Sequence, residues 1–600
     1  MEHFVDLVPI DNHFAGFIRR LSPEGGEDLY LAAALTSMAT RLGHACLDLS
    51  AWAGCSILTI TDKSYMCPKL SVWISGLAAC SAVGAEHDAA PLVLVDDRLY
   101  LRRYFEYEND VAKFVIGRGE QADAEVDMRS LSERMDRLFP GQPEGCDWQR
   151  LAALVAVIRP FVVITGGPGT GKTTTVAKLL ALLLEHHPEK ENFRIALTAP
   201  TGKAVMRLQG IMASVKTTLA CSESIRELIP IKVITLHRLL GFRKDSSLLK
   251  YDKNNQLPYE LVVVDEASMV DLPLMAKLMR ALRPDTKLVL LGDHNQLASV
   301  EPGAVLGDIC SQEALPVFSK GFIAKASAVT MVENLSIEGD GQTDSLVELQ
   351  DSHRFGVKSG IGLVGQAINV GDSDGALEIF QDDNYPDVVF RNIGSEEHLQ
   401  QELSDKYNQK PPGWFGVAEP EKALRCLGSF QVLCAVHQGV FGVSNVNRCI
   451  EEILAEKWSV VPEALSYVGR PVMIADNNYE LQLFNGDTGI VLTGQLNGEG
   501  LLAFFPDGGE GVRKIPLALL PEHKTAYAMT VHKSQGSEFD EVVVVLPDWQ
   551  SAVLSRELLY TALTRAGGKV EVWGSKKIFM ETIKSVISRH GGLRDKLRLD

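Results

Sequence analysis

Residues 161–176, FVVITGGPGTGKTTTV, constrain this chain more than any other stretch. An apolar run (Phe161-Val162-Val163-Ile164) gives way to a glycine-rich turn, and a helix-forming sequence opens at Lys172-Thr173. That order predicts a buried strand, a tight loop and a helix N-terminus. Glycines in such a loop let backbone N–H groups curl around a phosphate, and the helix N-terminus adds positive partial charge. The pattern G-x-x-x-x-G-K-[ST] is complete at Gly166, Gly171, Lys172 and Thr173, with Gly167, Gly169, Thr170 and Thr174 in and beside the loop. Lys172 then reaches the outer phosphates, and the Thr173 hydroxyl holds Mg²⁺. A glycine-rich turn with nothing bound is the bland alternative. The strand before it and the helix after it argue for a bound nucleoside triphosphate.

At 600 residues, the chain is long enough for roughly four structural units. Its 46% hydrophobic and 23% charged residues suit globular units with real cores. A formal net charge of −18 argues against a polybasic coat for nucleic acid, although it leaves room for a local groove. The ten cysteines are scattered without a C-x-x-C pair, as expected of free thiols in a reducing compartment. MEHFVDLVPIDNHF is not a charged-then-apolar signal, and the longest apolar runs are interrupted by Arg159-Pro160 and Lys178. A soluble, cytoplasmic protein with no membrane span is expected.

Taken in order, residues 1 to about 90 predict a mainly helical segment, with one helix from Asp28 to Leu42 ended by Gly43. Pro91–Tyr107 alternates around Asp96-Asp97 as a hairpin does. The Gly-, Asp-, Glu- and Pro-rich stretch from Gly117 to Glu144 predicts a linker. Asp147-Trp148-Gln149 opens the next helix, where the two-faced amide of Gln149 suits an adenine edge.

Strands and helices then alternate, as in a parallel sheet. The strand Arg194–Leu197 leads to Thr201, Gly202 and Lys203, a loop placed to touch a phosphate backbone. Thr235 and His237 have a similar setting, and a small hairpin is expected between Phe242 and Pro258. LVVV (261–264) delivers Asp265 and Glu266 beside the phosphate loop. There Asp265 holds Mg²⁺ and Glu266 polarises an attacking water. LVLL (288–291) leads to Gln296, placed to sense the γ-phosphate. Beyond Asp351, a second unit carries the strand Phe430–Ala435, a small barrel-like insertion and the strand Val542–Leu546.

In this order, GGPGTGKTTT, APTGKA, TLHRLLG, VVDEASMVD, GDHNQLASVEPGAVLGD, SHRF, FNGDTGI, TVHKSQGSEFD and YTALTRA resemble superfamily 1 DNA helicases. SHRF and TVHKSQGSEFD point more closely to the RecD branch, the α subunits of exodeoxyribonuclease V. The resemblance covers residues 149–566. It implies an α/β fold with two RecA-like P-loop lobes built on parallel sheets, residues 147–345 and 346–600. A mainly helical partner-docking domain at 1–115, a linker at 116–146 and an SH3-like β-barrel insertion at about 485–525 complete the expected plan. It also implies a 5′-to-3′ translocase on single-stranded DNA and DNA ends, using ATP and Mg²⁺ and working with RecB-like and RecC-like subunits. By resemblance, Arg354 and Arg565 touch the γ-phosphate from the second lobe. Gln535, Gly536 and Glu538 face the nucleotide. Thr530 and His532 link nucleotide state to DNA, and Lys203 and Thr235 face the strand.

A rival reading is a nuclease, because Pro506-Asp507 and Glu522-His523-Lys524 superficially match a PD…E-x-K metal site. The window is too short for a nuclease core and falls where the family's barrel insertion belongs. A P-loop switch or scaffold is a second rival, but such a protein has no need for two arginines from a second lobe.

Overall fold

A computed structural model describes residues 2–59, 64–121, 124–141, 145–187, 189–242, 249–310, 317–332, 335, 343–356, 359–409, 412–458, 466–478, 480–494, 500–507 and 511–598. The hairpin expected at 242–258 lies partly outside these residues. The ten cysteines are all free. Among the described residues, no helix is long and apolar enough to cross a membrane.

Two parallel sheets organise the chain. The first has six strands in the order Val233–Thr235, Ile195–Ala199, Leu261–Val264, Lys287–Leu291, Phe161–Gly166 and Leu346–Leu349. Its central strands read as continuous Val/Leu/Ile runs because helices cover both faces, and Val162, Val163, Val262, Val263, Val289 and Leu290 are fully buried. The strand Leu346–Leu349 pairs in parallel with the phosphate-loop strand, Leu346 opposite Val163. The first sheet therefore runs past residue 345, the boundary expected from sequence.

The second sheet has five strands, in the order Val388–Asn392, Ala566–Gly574, Phe539–Val545, Phe430–Cys434 and Ala528–Thr530. Between its strands sits an antiparallel five-stranded sheet that begins at Pro471–Ile474 and ends at His523–Thr525. The insertion thus starts before the expected residue 485. Pro471–Ile474 is a fully apolar strand, and sequence alone does not separate it from the surrounding core strands.

The N-terminal segment is less helical than its sequence predicts. The helix expected from Asp28 is present as Gly26–Arg41, and Gly43 turns with φ 93°. Two small sheets accompany it: Glu2–Val5, Ser56–Thr59 and Ser64–Met66 in one, and Cys46–Asp48, Arg98–Leu101, Leu92–Val95 and Val83–Gly84 in the other. Strands of two to four residues are too short to show a period. The expected hairpin forms around Asp96, which takes φ 53°, but it ends at Leu101. Residues Arg102–Gly119 are a helix whose Tyr104, Val111 and Ala112 join the core of the first sheet. Arg102 donates to the carbonyls of Ala90 and Glu86, which ties the start of this helix to the preceding loop.

The expected linker likewise contains a helix, Met128–Leu138, capped by Asp127 and buried through Leu131, Met135 and Leu138. Its polar composition reflects a helix with one narrow apolar stripe. The C-terminal residues fasten these parts together. Arg589 donates to the carbonyls of Gly43 (3.3 Å), Glu301 (2.7 Å) and Gly303 (3.2 Å), and Lys596 pairs with buried Glu108 at 3.2 Å.

Candidate nucleotide cleft and strand groove

Asp147 caps the helix Trp148–Ile158 by accepting from the Gln149 and Arg150 amides, which aims Gln149 at the phosphate loop. Gln149 Nε2 donates to the Thr170 carbonyl at 3.3 Å and lies 3.3 Å from His353 Nε2. Both residues line a cavity of about 420 Å³ with Phe139, Trp148, Thr170, Gly171 and Thr174. It adjoins a second cavity of about 380 Å³, and Gly171, Thr174 and His353 belong to both walls. One offers a flat, partly apolar wall and the other a ring of charge, as a base and a triphosphate require.

The charged cavity is lined by Lys172, Thr173, Asp265, Glu266, Asp293, Gln296, Arg354, Glu538 and Arg565. Lys172 Nζ donates to the Gly166 and Gly167 carbonyls at 2.6 and 2.9 Å, and burial holds its pKa below the usual lysine range. Thr173 Oγ1 is 3.4 Å from Asp265 Oδ2. Burial, with Glu266 beside it, pushes Asp265 up to about 6. Glu266 takes a left-handed backbone, φ 52°, which non-glycine residues adopt at some energetic cost, and its amide donates to Asp265 Oδ1 at 2.8 Å.

Gln296 Nε2 donates to Asp293 at 3.0 Å, and Arg565 Nη2 reaches Gln296 Oε1 at 2.9 Å. The Tyr560 hydroxyl also donates to Asp293, at 3.1 Å, so one buried carboxylate gathers donors from both sheets. Arg565 is 2% exposed, and burial lowers its pKa. The structure thus brings Lys172, Thr173, Asp265, Glu266, Gln296, Arg354, Glu538 and Arg565 to one cavity.

Arg354 arrives by an unexpected route. Ser352 Oγ donates to the Pro168 carbonyl at 3.1 Å and the His353 amide to Gly169 O at 2.9 Å. A Cβ on Gly169 would stand 2.3 Å from Arg354 Cβ, so only glycine admits this approach. Arg354 therefore rides with the phosphate loop, on the connection after the first sheet. Of the two arginines expected from the second lobe, only Arg565 lies beyond that connection. Among the described residues, buried Arg354 Nη1 has no hydrogen-bond partner, which suits an arriving anion.

Two expected nucleotide contacts lie elsewhere. Gln535 donates to the Leu297 carbonyl at 2.9 Å and faces a different cavity, while Gly536 packs against Ala204. The turn after Ser534 carries them past the cleft, and Glu538 alone of the three returns to it.

That other cavity, about 340 Å³, is a groove walled by Thr201, Lys203, Thr235 and His237 on one side and Phe484, Asn485, His532 and Lys533 on the other. Thr201 and Thr235 each cap a helix, accepting from the Ala204 and Arg238 amides. Thr530 does the same for the turn Val531–Ser534, accepting from the Lys533 amide, and is absent from the groove lining. Lys203 Nζ donates to the Lys533 carbonyl at 3.0 Å, and burial pushes its pKa down to about 8. Asn485 and Lys533, bonded at 2.5 Å, were given no role from sequence. Arg207, on the helix Gly202–Thr218, was also missed and lines the nucleotide cleft.

The acids of the nuclease reading do not assemble. Asp507 pairs with Arg513 at 3.4 Å, and among the described residues no group of three or more His, Cys, Asp or Glu side chains could hold a metal ion.

A phosphate loop at the end of a parallel sheet, facing an arginine from a second parallel sheet across a shared cavity, defines a P-loop nucleotide hydrolase of the helicase kind. The chain belongs to the RecD family of RecBCD enzyme subunits. It is 38% identical to the "RecBCD enzyme subunit RecD" of Mycolicibacterium smegmatis, over 100% of this chain and 99% of that protein. The same subunit of Haemophilus influenzae is 32% identical over 94% and 92% of the two chains. The "ATP-dependent RecD2 DNA helicase" of Deinococcus radiodurans is 29% identical over 68% of this chain and 46% of that protein. Residues 6–100 match the N-terminal domain family of RecBCD subunit RecD, 149–302 an AAA domain family and 525–572 the UvrD-like helicase C-terminal domain family.

Proposed function

We propose that this chain is the ATP-driven helicase subunit of a RecBCD-type complex, moving 5′-to-3′ along single-stranded DNA from DNA ends. The observation that carries the reading is the single charged cavity that joins Lys172, Thr173, Asp265 and Glu266 to Arg354 and Arg565. Gln149 reads the adenine. Thr173 and Asp265 would hold Mg²⁺: their oxygens, 3.4 Å apart, suit a hard cation, and burial with Glu266 beside it raises the Asp265 pKa even with Arg207 and Lys172 nearby, which a bound cation would relieve. The metal would neutralise phosphate charge.

Glu266 takes a proton from water as the water oxygen bonds to the γ-phosphorus. The bond from that phosphorus to the β,γ-bridging oxygen breaks, leaving ADP and inorganic phosphate. Lys172, Arg354 and Arg565 stabilise the charge on the transferring group. Gln296 links this event to Arg565, and so to the second sheet.

A γ-phosphate gives Arg565 an anionic partner only when the two sheets close on it, so binding favours closure and hydrolysis releases it. The groove lies across the same junction, and each cycle shifts the strand between its walls. The sign of movement rests on the family resemblance. The same reading takes 1–115 as the surface that meets RecB-like and RecC-like subunits, two RecA-like lobes as the motor, an SH3-like barrel at 471–525 and a cytoplasmic setting. Ile10 and Phe17, 63% and 48% exposed on the helix Pro9–Leu21, suit a docking face.

Two measurements test the reading. Lys172→Ala should lower strand-stimulated ATP hydrolysis by at least ~10²-fold while strand binding persists; near-normal hydrolysis would refute it. Phe17→Asp should weaken co-purification with the partner subunits, and unchanged assembly would move the docking face elsewhere.

A further inference from the structure

The nucleotide cleft contains an ion-pair chain that the hydrolytic mechanism above does not use. Arg207 Nη1 donates to Glu266 Oε1 at 3.2 Å, and its Nη2 pairs with Glu538. Glu538 in turn pairs with Arg354. Although burial acts the other way, Arg207 and Arg354 hold the Glu538 carboxyl below its usual range. The carboxylate meant for water and one arginine meant for phosphate are therefore both engaged, linked through Arg207 and Glu538.

Arg207 also sits on a helix that reaches the groove. Thr201, Gly202 and Lys203, at the start of Gly202–Thr218, line the groove, and Arg207 lies four residues after Lys203 on the same face. Lys203 is tied to the Lys533 carbonyl of the opposite wall. Lys203 thus ties the helix that carries Arg207 to the opposite wall of the groove, at a position where a seated strand would compete for the ammonium.

We propose that Arg207 is a positioning residue that holds Glu266 away from the attacking water until a strand fills the groove, coupling strand binding to hydrolysis. The proposal rests on the reading of Glu266 as the water-activating base. A guanidinium has two edges and here divides them between two carboxylates. When a γ-phosphate draws Arg354 away, Glu538 is left free to take both edges of Arg207. When a strand takes Lys203, reseating of the helix completes that transfer, and Glu266 is released to the water. A triphosphate alone leaves the helix tied through Lys203, so hydrolysis without a strand stays slow.

The test is ATP hydrolysis with and without oligo-dT, on the full chain, for wild type, Arg207→Gln, Arg207→Lys and Glu266→Gln. Arg207→Gln should raise the strand-free rate about tenfold, on the scale of one charge-assisted hydrogen bond, with KM for ATP within about twofold of wild type. Its ratio of strand-stimulated to basal rate should collapse. Arg207→Lys keeps the charge but cannot span both carboxylates, so its ratio should fall between those of glutamine and wild type. A wild-type ratio in either variant would overturn the proposal. So would parallel loss of both rates with a raised KM, which is what a purely structural role produces. Glu266→Gln separates the two ideas: normal hydrolysis there would refute the base assignment, whereas an inactive Glu266→Gln beside a fully coupled Arg207→Gln would refute only the role of Arg207.

Discussion

Replacing Gly202 with alanine should open the strand groove without unfolding the unit that carries it. Gly202 is the first residue of its helix, where alanine is the better helix former by about 1 kcal/mol, so the first sheet and its helices tolerate the change. The difficulty lies across the junction. A Cβ at residue 202 would stand 2.6 Å from both Cβ and Cγ of Phe484 and 2.7 Å from its Cδ2, in the turn that closes the groove from the other side. Ordinary carbon contacts lie near 3.5–4.0 Å, so the turn must retreat by roughly 1 Å. Phe484 Cβ is itself one of the close atoms, and a side-chain rotation cannot relieve it. Overpacking of this kind costs about 1–3 kcal/mol. At 1.4 kcal/mol per tenfold, the closed groove and the strand affinity that depends on it fall by about 5- to 150-fold. Fluorescence anisotropy with labelled oligo-dT measures that loss, and KM for ATP should stay within about twofold because Gly202 is absent from the nucleotide cavity. Wild-type strand affinity would show that Phe484 does not pack on this helix when DNA is bound, and the two-walled groove would be wrong.

Strand affinity should also depend on pH through Lys203, whose pKa burial lowers to about 8. Below that value the ammonium is present and affinity is flat; above it the charge is lost, and affinity falls by up to about tenfold per pH unit for one linked proton. A Lys203→Met variant with the same slope as wild type would exclude this residue as the source. Deleting residues 1–115 should destabilise the motor itself, because it removes Tyr104, Val111 and Ala112 from the core of the first sheet and leaves Lys596 without Glu108. At about 1.5–3 kcal/mol per buried apolar side chain, the loss is on the order of 5 kcal/mol, and a thermal melt equal to the full chain would contradict the packing.

Legibility in the sequence followed how local each feature is. The phosphate loop, the acids after LVVV and Gln296 were readable because a buried strand followed by a loop writes its identity into consecutive residues. Their assembly into one cavity follows from the parallel sheet, whose strands all deliver loops to one edge. Arg207 left no such trace: its neighbours Val205, Met206 and Leu208 belong to no nucleotide motif, and only the fold brings it to Glu266. Gln535 was misassigned because it lies three residues from Glu538, and the turn between them sends the two into different cavities. The helices Arg102–Gly119 and Met128–Leu138 were hidden by hairpin-like alternation and by polar composition, although each buries an apolar stripe. Arg354 lines the cleft beside the phosphate loop rather than from the second sheet, because sequence order does not say where the last strand of the first sheet stops.

The central claim is a motor in which ATP, gripped between the phosphate loop and Arg565, drives a strand in one direction. Strand displacement on partial duplexes bearing either a 5′ or a 3′ single-stranded tail, with wild type and Arg565→Ala side by side, tests it most directly. The account predicts ATP-dependent unwinding from the 5′ tail only, lost in Arg565→Ala. Unwinding from the 3′ tail alone, or equal activity in the two proteins, would contradict it.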